Sequence, residues 1–420
     1  MLDIKFIREN ADLIAAGAKK KHLEVDIAQL LGADEKRRAL LVEVETMRAK
    51  QNETNAAVVK ANPGERVDLI AQMKKLKENL QKKEKELQEV DHEWQLLMVQ
   101  VPNIPDLSVP EGASDTDNVE VRVWGEKPDI KNPKSHVDLM QVLGMADFER
   151  GTKVSGFRGY ILRGDGALLN YAVWNFCIDH FVKKGGFIPM LVPSLVKRVA
   201  FLGTGYLPQG EEDLYKTQDG DFLAGTGEVA TMTYHMNEVL DKKDLPFKFV
   251  SFSPCFRREA GSHGKDTKGL MRVHEFFKFE QVVLCEASHE ESVRLHEELT
   301  KNAEELLQAL GLPYRVVINC GGDLGLGQVK KYDIETWVPS EGKYRETHSS
   351  SYFHDFQTRR LNIRYRDDQG SLQYAHSLNN TALATPRILI SIIENNQNED
   401  GSITVPEVLR PYLGKDKISK

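Results

Sequence analysis

Between Pro254 and Glu280 the chain reads PCFRREAGSHGKDTKGLMRVHEFFKFE. Those 27 residues hold Arg257, Arg258 and Arg272, an aromatic cluster that includes Phe276, and the acids Glu259 and Glu280. Arginine grips phosphate as a planar fork, an aromatic ring can cover a base, and a carboxylate accepts from an amine or a hydroxyl. These types suit a nucleoside triphosphate beside an amino acid. The same composition also suits a charged strand–loop–strand on a surface, so the segment by itself leaves both readings open.

Other segments offer partners for that chemistry. Ala224–Val229 (AGTGEV) sets the Thr226 hydroxyl and the Glu228 carboxylate on a glycine-flanked turn, where Thr226 could equally cap a helix. Tyr344–Ser351 (YRETHSSS) combines a carboxylate with hydroxyls, which suits a phosphate-bound Mg²⁺ but also a plain hydroxyl-rich loop. Leu378–Arg387 reads as polar groups at a turn and then a helix with Arg387 near its start. The helix dipole disfavours a cation there. An anionic ligand would resolve the conflict, and so would a side chain pointing into solvent. Gly321–Gly327 (GGDLGLG) has the wrong spacing for a dinucleotide fingerprint and no βαβ unit around it, so its glycines serve tight turns or close packing. Gly186–Val196 is apolar with two prolines, as expected of an edge strand or a subunit interface.

Positioning such groups takes more than one core. A chain of 420 residues exceeds one compact unit. Residues 1–33 read as a short helical lead-in. Leu69, Met73, Leu76, Leu80, Lys83, Leu87, Val90, Trp94 and Leu97 then follow spacings of four and three, a heptad seam broken only by Lys83. Leu40, Val44, Met47, Gln51, Thr54 and Val58 give a poorer seam, and Asn62-Pro63-Gly64 marks a turn between the two. The pattern predicts an antiparallel coiled coil over about 35–98, each arm reaching roughly 45 Å at 1.5 Å per residue. Such a coil could also be a dimerisation element or a scaffold. The prolines of 101–112 form a rigid linker. Beyond it, helical periodicity near 167–184, 288–310 and 384–394 alternates with β-branched or aromatic runs at 247–252, 276–284, 314–318 and 358–366. That mixture predicts an α+β domain with an antiparallel sheet.

Composition excludes several classes. The formal charge of −7 is not that of a uniformly basic nucleic-acid binder, so RNA would be met through local patches. No apolar run approaches the ~20 residues of a membrane helix. The start, MLDIKFIREN, lacks a signal peptide's apolar region. Cys177, Cys255, Cys285 and Cys320 form no CxxC pair, which argues against zinc and disulfides and for a reducing cytoplasm.

Taken in this order, the segments resemble the seryl-tRNA synthetases, a family of class II aminoacyl-tRNA synthetases. The resemblance spans the chain: the hairpin, the VPEG…DNVEVRVWG linker, KVSGFRGYILRGDGALL, and three motifs. Gly186–Val196 resembles motif 1, Phe256 through Arg272 to Phe276 motif 2, and Asn379–Arg387 motif 3. It implies a tRNA-binding domain over 1–103, a catalytic domain over 104–420 with an antiparallel-sheet core, and a cytoplasmic homodimer joined through motif 1. The implied ligands are ATP, Mg²⁺ and L-serine, with tRNA(Ser), and by extension tRNA(Sec), as acceptor.

The resemblance also implies roles. Arg257 would sit on the α-phosphate; Arg258, a departure from the family and a candidate for the ATP site, would add positive potential there or simply face solvent. Glu259 would accept from the adenine amino group and Val273 would present its backbone. Phe276 and Arg387 would cover the two faces of the base, and Arg272 would hold the terminal phosphates. Glu346 and Ser349 would ligate Mg²⁺, with Thr347 and His348 lining the same loop. Thr226 and Glu228, on the turn that includes Gly227, would take serine's amine. Glu280 and Thr381 would take its hydroxyl, with Asn379 nearby. Alanine is common in the family where Gly227 stands, serine at Arg258, and asparagine at Tyr352. The hairpin would hold the long variable arm of the tRNA, with Arg48, Lys60, Lys74 and Lys75 as candidate contacts. Two rival readings are a ligase acting on a carrier protein, which the long hairpin disfavours, and a coiled-coil interaction protein with a degenerate core, which the complete ATP set disfavours.

Overall fold

The heptad seam closes into two long helices, α1 (Ile27–Lys60) and α2 (Pro63–Met98). The first arm starts at Ile27, ahead of the expected Glu35, because Asp26 caps it by accepting the Gln29 N–H at 2.8 Å. Between the arms lie only Ala61 and Asn62. Asn62 accepts the Glu65 N–H at 3.1 Å, and Pro63 takes the first helical position, where its missing N–H loses no bond. Leu40 and Val44 on one arm and Leu80 and Val90 on the other are buried, and the remaining seam residues from Met47 to Val58 and from Leu69 to Leu97 are half-buried among exposed neighbours. Lys83, the polar break, reaches out of the seam to Glu43 at 2.9 Å and Glu86 at 3.2 Å. Arg48 is bonded to Glu84 at 2.7 Å across the arms, whereas Lys60, Lys74 and Lys75 are exposed.

The structure, a computed structural model, describes residues 1–261, 264 and 266–420. Its chain divides into two units: Asp3–Lys19 with Leu23–Pro102, and Met1–Leu2 with Lys20–His22 and Asn103–Lys420. The second contains an eight-stranded sheet. In chain order its strands are β1 (Val119–Trp124), β2 (Ile188–Leu191), β3 (Phe247–Phe256), β4 (Glu275–Cys285), β5 (Tyr314–Ile318), β6 (Lys330–Val338), β7 (Lys343–His354) and β8 (His376–Thr385). Their spatial order is β1-β5-β6-β7-β8-β4-β3-β2. All pairings are antiparallel except that of β2, which lies parallel to β3 at the edge, where its Pro189 removes no central ladder bond.

The unit's main helices are α3 (Asp165–Lys184), the short α4 (Glu228–Thr233), α5 (His289–Ala309), α6 (Phe356–Leu361) and α7 (Arg387–Asn395). Together α3, α5 and α7 bury one face of the sheet: Val173 and Phe176, Leu295 and Leu299, and Leu389 and Ile393 all belong to its apolar clusters. The opposite face carries polar residues beside a smaller apolar cluster of Met232, Phe249, Val282, Leu284 and Leu361, and the mainly antiparallel sheet with helices packed on it makes this an α+β fold.

Three expectations from the sequence change in the fold. Tyr344–Ser351 is not a loop but part of β7, and Leu378–Thr385 is not a turn but part of β8, so α7 starts at Arg387 rather than Ala384. Thr358–Arg366 is not one strand: α6 runs to Leu361, Asn362 ends it at φ 54°, and only Arg364–Arg366 is extended. The glycines of 321–327 do serve close packing. A Cβ on Gly321 would collide with the Lys20 carbonyl oxygen, and one on Gly327 would lie 2.6 Å from the Phe356 ring. Leu299 is fully buried where α5 crosses the back of the sheet. Leu299→Ala is expected to destabilise the sheet-containing unit by about 2–5 kcal/mol, read as an earlier transition in urea denaturation.

Candidate active site

Side chains alternate along a strand, so β4 sends Phe276, Lys278 and Glu280 to one face. Across the ladder Glu280 faces Thr381 of β8 and Ser251 of β3, Asn379 faces Ser351 of β7, and Ser349 faces Asp333 of β6. These strands floor a cleft of about 250 Å³. Among its lining residues are Thr226, Glu228, Arg257, Glu259, Arg272, Val273, Phe276, Glu280, Glu346, Thr347, Ser349, Asn379, Thr381 and Arg387. Candidates scattered over some 160 positions of sequence, from Thr226 to Arg387, thus converge on one hollow. Three others lie off its lining. Arg258 donates to the Glu212 carbonyl at 2.9 Å. Gly227 backs onto the sheet, where a Cβ would lie 3.0 Å from Ser251 Oγ, so alanine would fit tightly. His348 is buried behind β7, with its ring between Thr347 Oγ1 and the Ala382 carbonyl, and burial pulls its pKa down to about 4, leaving it neutral.

One end of the cleft is acidic. Glu228 and Glu280 are 3% and 2% exposed. Tyr206 Oη donates to Glu228 Oε2 at 2.8 Å and Gln357 Nε2 to Oε1 at 2.6 Å. Burial still pushes the Glu228 carboxyl above its ordinary pKa and the Glu280 charge adds to this, while Gln357, Tyr206 and Lys278 pull it back only in part. Lys278 pairs with Glu280 Oε2 and donates to Thr226 Oγ1 at 2.8 Å. Thr226 Oγ1 in turn accepts the Glu228 N–H at 3.2 Å and donates to Glu280 at 3.3 Å. Thr226 therefore both organises the start of α4 and belongs to the charged cluster. Two buried carboxylates share one ammonium, so the cluster has room for a second cation.

The other end is basic. Arg257 directs Nε and Nη2 to the Gly225 carbonyl at 3.3 Å each and lies 5.2 Å from the Phe276 ring centre. Arg272 donates to Glu259 at 2.6 Å, and its Nε lies 3.7 Å from Asp266. Burial pushes the Glu259 carboxyl up, but the Arg272 bond with the Arg272 and Arg257 charges outweighs it, so the pKa lies below the ordinary range. Arg387, first residue of α7, donates to the Met271 and Glu346 carbonyls at 3.0 Å each, which answers the helix-dipole conflict only in part. Burial lowers its pKa; Glu346 opposes this, and Arg257 and Arg272 reinforce it. Three guanidinium groups thus face one hollow, an arrangement that favours a polyanion.

A histidine ties this end to the core. His136 Nε2 accepts the Leu270 N–H at 3.2 Å, so the ring proton sits on Nδ1 and is donated to Glu394 of α7 at 2.9 Å. Among the described residues no cluster of three or more His, Cys, Asp or Glu could hold a metal alone. Glu346 and Ser349 offer one carboxylate and one hydroxyl at the cleft, which fits a Mg²⁺ that takes its remaining oxygens from phosphate and water.

Lys278, Tyr206, Gln357 and the turn Gly325–Gln328 also line or support the cleft and escaped sequence reasoning. Lys278 alone had a signal: it stands midway between Phe276 and Glu280 at strand spacing. Tyr352, where the family often has asparagine, is buried and donates to Asp106 of the linker at 2.8 Å.

Residues 215–396 match the tRNA synthetase class II core domain (G, H, P, S and T), and residues 1–105 the seryl-tRNA synthetase N-terminal domain. The serine–tRNA ligase of Deinococcus radiodurans is 49% identical over 416 residues, covering 99% of this chain and 98% of that protein. That of Caldicellulosiruptor saccharolyticus is 46% identical over 422 residues, covering all of both. Among solved structures, seryl-tRNA synthetase from Pyrococcus horikoshii complexed with ATP superposes with a TM-score of 0.90 at 40% identity, covering 100% of this chain and 99% of that one. The cytoplasmic serine–tRNA ligase from Naegleria fowleri in complex with AMP gives 0.86 at 32% identity with the same coverage.

The acidic cluster makes a pH-dependent prediction. Lys278 helps hold the Glu228 pKa down, so Lys278→Met raises it further. A carboxyl whose folded pKa is raised lends stability below its unfolded pKa and loses it as pH rises. The variant's deficit against the parent is therefore expected to be larger at pH 8 than at pH 5, by about 1.4 kcal/mol per unit of added shift. Thermal melts at the two pH values check this, and an equal deficit at both would count against the coupling.

Proposed function

The chain belongs to the seryl-tRNA synthetases, and on that premise we propose how its cleft carries out the serine–tRNA ligase reaction. It is an ATP-dependent ligase that joins L-serine to tRNA. Serine and ATP first give seryl-adenylate and pyrophosphate, and the seryl group then passes to the terminal ribose of the tRNA.

Serine's ammonium fills the place of the missing cation beside Glu228 and Glu280. Its hydroxyl is taken by Glu280 and Thr381, with Asn379 alongside. A carboxylate built to accept from a hydroxyl rejects alanine, which would leave it unpaired. Serine's carboxylate attacks the α-phosphorus, the bond to the β-phosphate oxygen breaks, and Arg257 leaves Gly225 and the Phe276 face to neutralise the charge that builds at the α-phosphate. Glu259 accepts from the adenine amino group, Val273 presents its backbone to the base, and Phe276 and Arg387 cover the two faces of the ring. Arg272 exchanges Glu259 for the terminal phosphates. Mg²⁺ held by Glu346 and Ser349 would supply charge neutralisation along the phosphate tail. No protein nucleophile is required, because positioning and preorganised charge suffice.

The observation that carries this reading is the juxtaposition in one cleft of a carboxylate pair short of one cation and a cluster of three guanidinium groups. The hairpin holds the tRNA by shape and backbone contacts, and we extend the acceptor from tRNA(Ser) to tRNA(Sec). Edge strand β2 supports a homodimer through motif 1, since Ile188 and Leu191 are 49% and 85% exposed on an unpaired edge. Four buried, unpaired cysteines accord with a cytoplasmic setting.

Arg257→Ala is expected to slow serine-dependent ATP–pyrophosphate exchange by roughly 100-fold or more, the scale of losing one transition-state donor; an unchanged rate would show that Arg257 does not act on the α-phosphate. Arg37 of α1 lies 2.5 Å from Asp91 of α2. Replacing residues 40–88, beyond that pair, by a short Gly-Ser turn should preserve exchange and abolish tRNA charging. Charging at the parent rate would show that the hairpin does not hold the tRNA.

A further inference from the structure

The turn Gly325–Gln328 forms one wall of the cleft. Its carbonyls do not face a ligand, because residues from the N-terminal part of the chain occupy them. Lys21 Nζ donates to Gly325 O at 3.0 Å, Leu326 O at 3.0 Å and Gln328 O at 2.6 Å. Asn103 donates its N–H to Leu326 O at 2.9 Å and its Nδ2 to Gly327 O at 3.1 Å. All four carbonyls of the turn are thus held by two residues. Lys21 is 2% exposed and spends its three donors on main-chain oxygens rather than on a carboxylate. A buried ammonium balanced only by dipoles is costly to desolvate, although removing it would leave the carbonyls it holds short of a donor. The compensation is to be sought in what the ammonium holds.

The turn is coupled to the acidic end of the cleft. Gln328 Oε1 accepts the Gly325 N–H at 2.6 Å, and its Nε2 donates to Ser351 Oγ at 2.8 Å. Ser351 is the ladder partner of Asn379. Gly327 is pressed against the Phe356 ring and lies near Phe353, so the turn has no slack on its outer side.

We infer that Lys21 is a positioning residue for the amino-acid end of the cleft, fixing the 325–328 turn and, through Gln328 and Ser351, the strand segment that carries Asn379. This rests on the assignment of that end to serine. It gives a role to a residue far in sequence from the three motifs, and it sorts substrates: serine binding depends on Lys21, whereas ATP binding at the arginine end does not.

Pyrophosphate exchange by the full-length protein tests this. Lys21→Met keeps the apolar stem and removes the ammonium. It is expected to raise KM for serine about tenfold while KM for ATP stays within about twofold. Gln328→Ala, which leaves every Lys21 bond in place, is expected to raise KM for serine in the same selective way but less. The double variant should fall short of the product of the two effects, because both act through one turn. A merely structural lysine would shift both KM values together, or neither, and either result overturns the inference. Should Lys21→Met fail to fold by circular dichroism, Lys21→Gln, which removes the charge but keeps an N–H donor, takes its place, and an unaltered serine KM in that variant overturns the inference. A parent protein without serine-dependent exchange would instead bring down the functional assignment, and this inference with it.

Discussion

Two carboxylates, Glu228 and Glu280, are kept from water with one ammonium, that of Lys278, paired to Glu280, and much of the catalytic unit is arranged around the cost of doing so. An ionised group in such surroundings needs donors. They come from separate places in the chain: Tyr206 from the loop before β3, Thr226 from the turn that starts α4, Lys278 from β4 and Gln357 from α6. Farther along the same face Val282 and Leu284 of β4 return to apolar packing, with Phe249, Met232 of α4 and Leu361 of α6. The larger share of burial comes from the other face, where α3, α5 and α7 pack.

The two units solve different problems. The hairpin buries little beyond a single seam and adds cross-arm ion pairs such as Arg48–Glu84, and it tolerates Lys83 in that seam because the ammonium escapes to Glu43. The catalytic unit must instead hold a loop still at the mouth of a hollow. His136 does this by joining Leu270 to Glu394, and a Cβ on Gly269 would collide with its Nε2, so the loop can approach only as glycine. Glu394 is buried in α7, so the segment bearing Met271 and Arg272 is fastened to the core behind the sheet.

The hairpin was legible because its apolar residues contrast with charged neighbours at heptad spacing, and every seam position named from sequence is sheltered in the fold. Strands β7 and β8 were not, because the reading of strands relies on apolar–polar alternation. Ser349, Ser351, Asn379 and Thr381 face the cleft, yet the residues between them, His348, Ser350 and Asn380, are also polar and find partners on the back, Asn380 donating to the Leu299 carbonyl at 2.6 Å. With both faces polar the period vanishes. The site was legible as motif spacing. Tyr206 and Gln357 were not, since neither stands near Glu228 in the chain and each matters only through the carboxylate it holds. Arg258 shows the reverse: adjacent to Arg257 in sequence, it turns to Glu212 because neighbours on an extended chain point opposite ways.

On the roles proposed for Arg272 and Glu259, the bond between them makes each ligand fragment compete with a partner already in place. An incoming anion such as inorganic phosphate has to displace a carboxylate already 2.6 Å from the guanidinium. A free nucleobase faces the mirror problem, since it would draw Glu259 away from Arg272 and leave the guanidinium with Asp266 at 3.7 Å. On those roles, a molecule with an exocyclic amine at one end and phosphates at the other satisfies both partners in a single event. Under that assignment the pair works as a coincidence detector, screening out fragments of the cosubstrate.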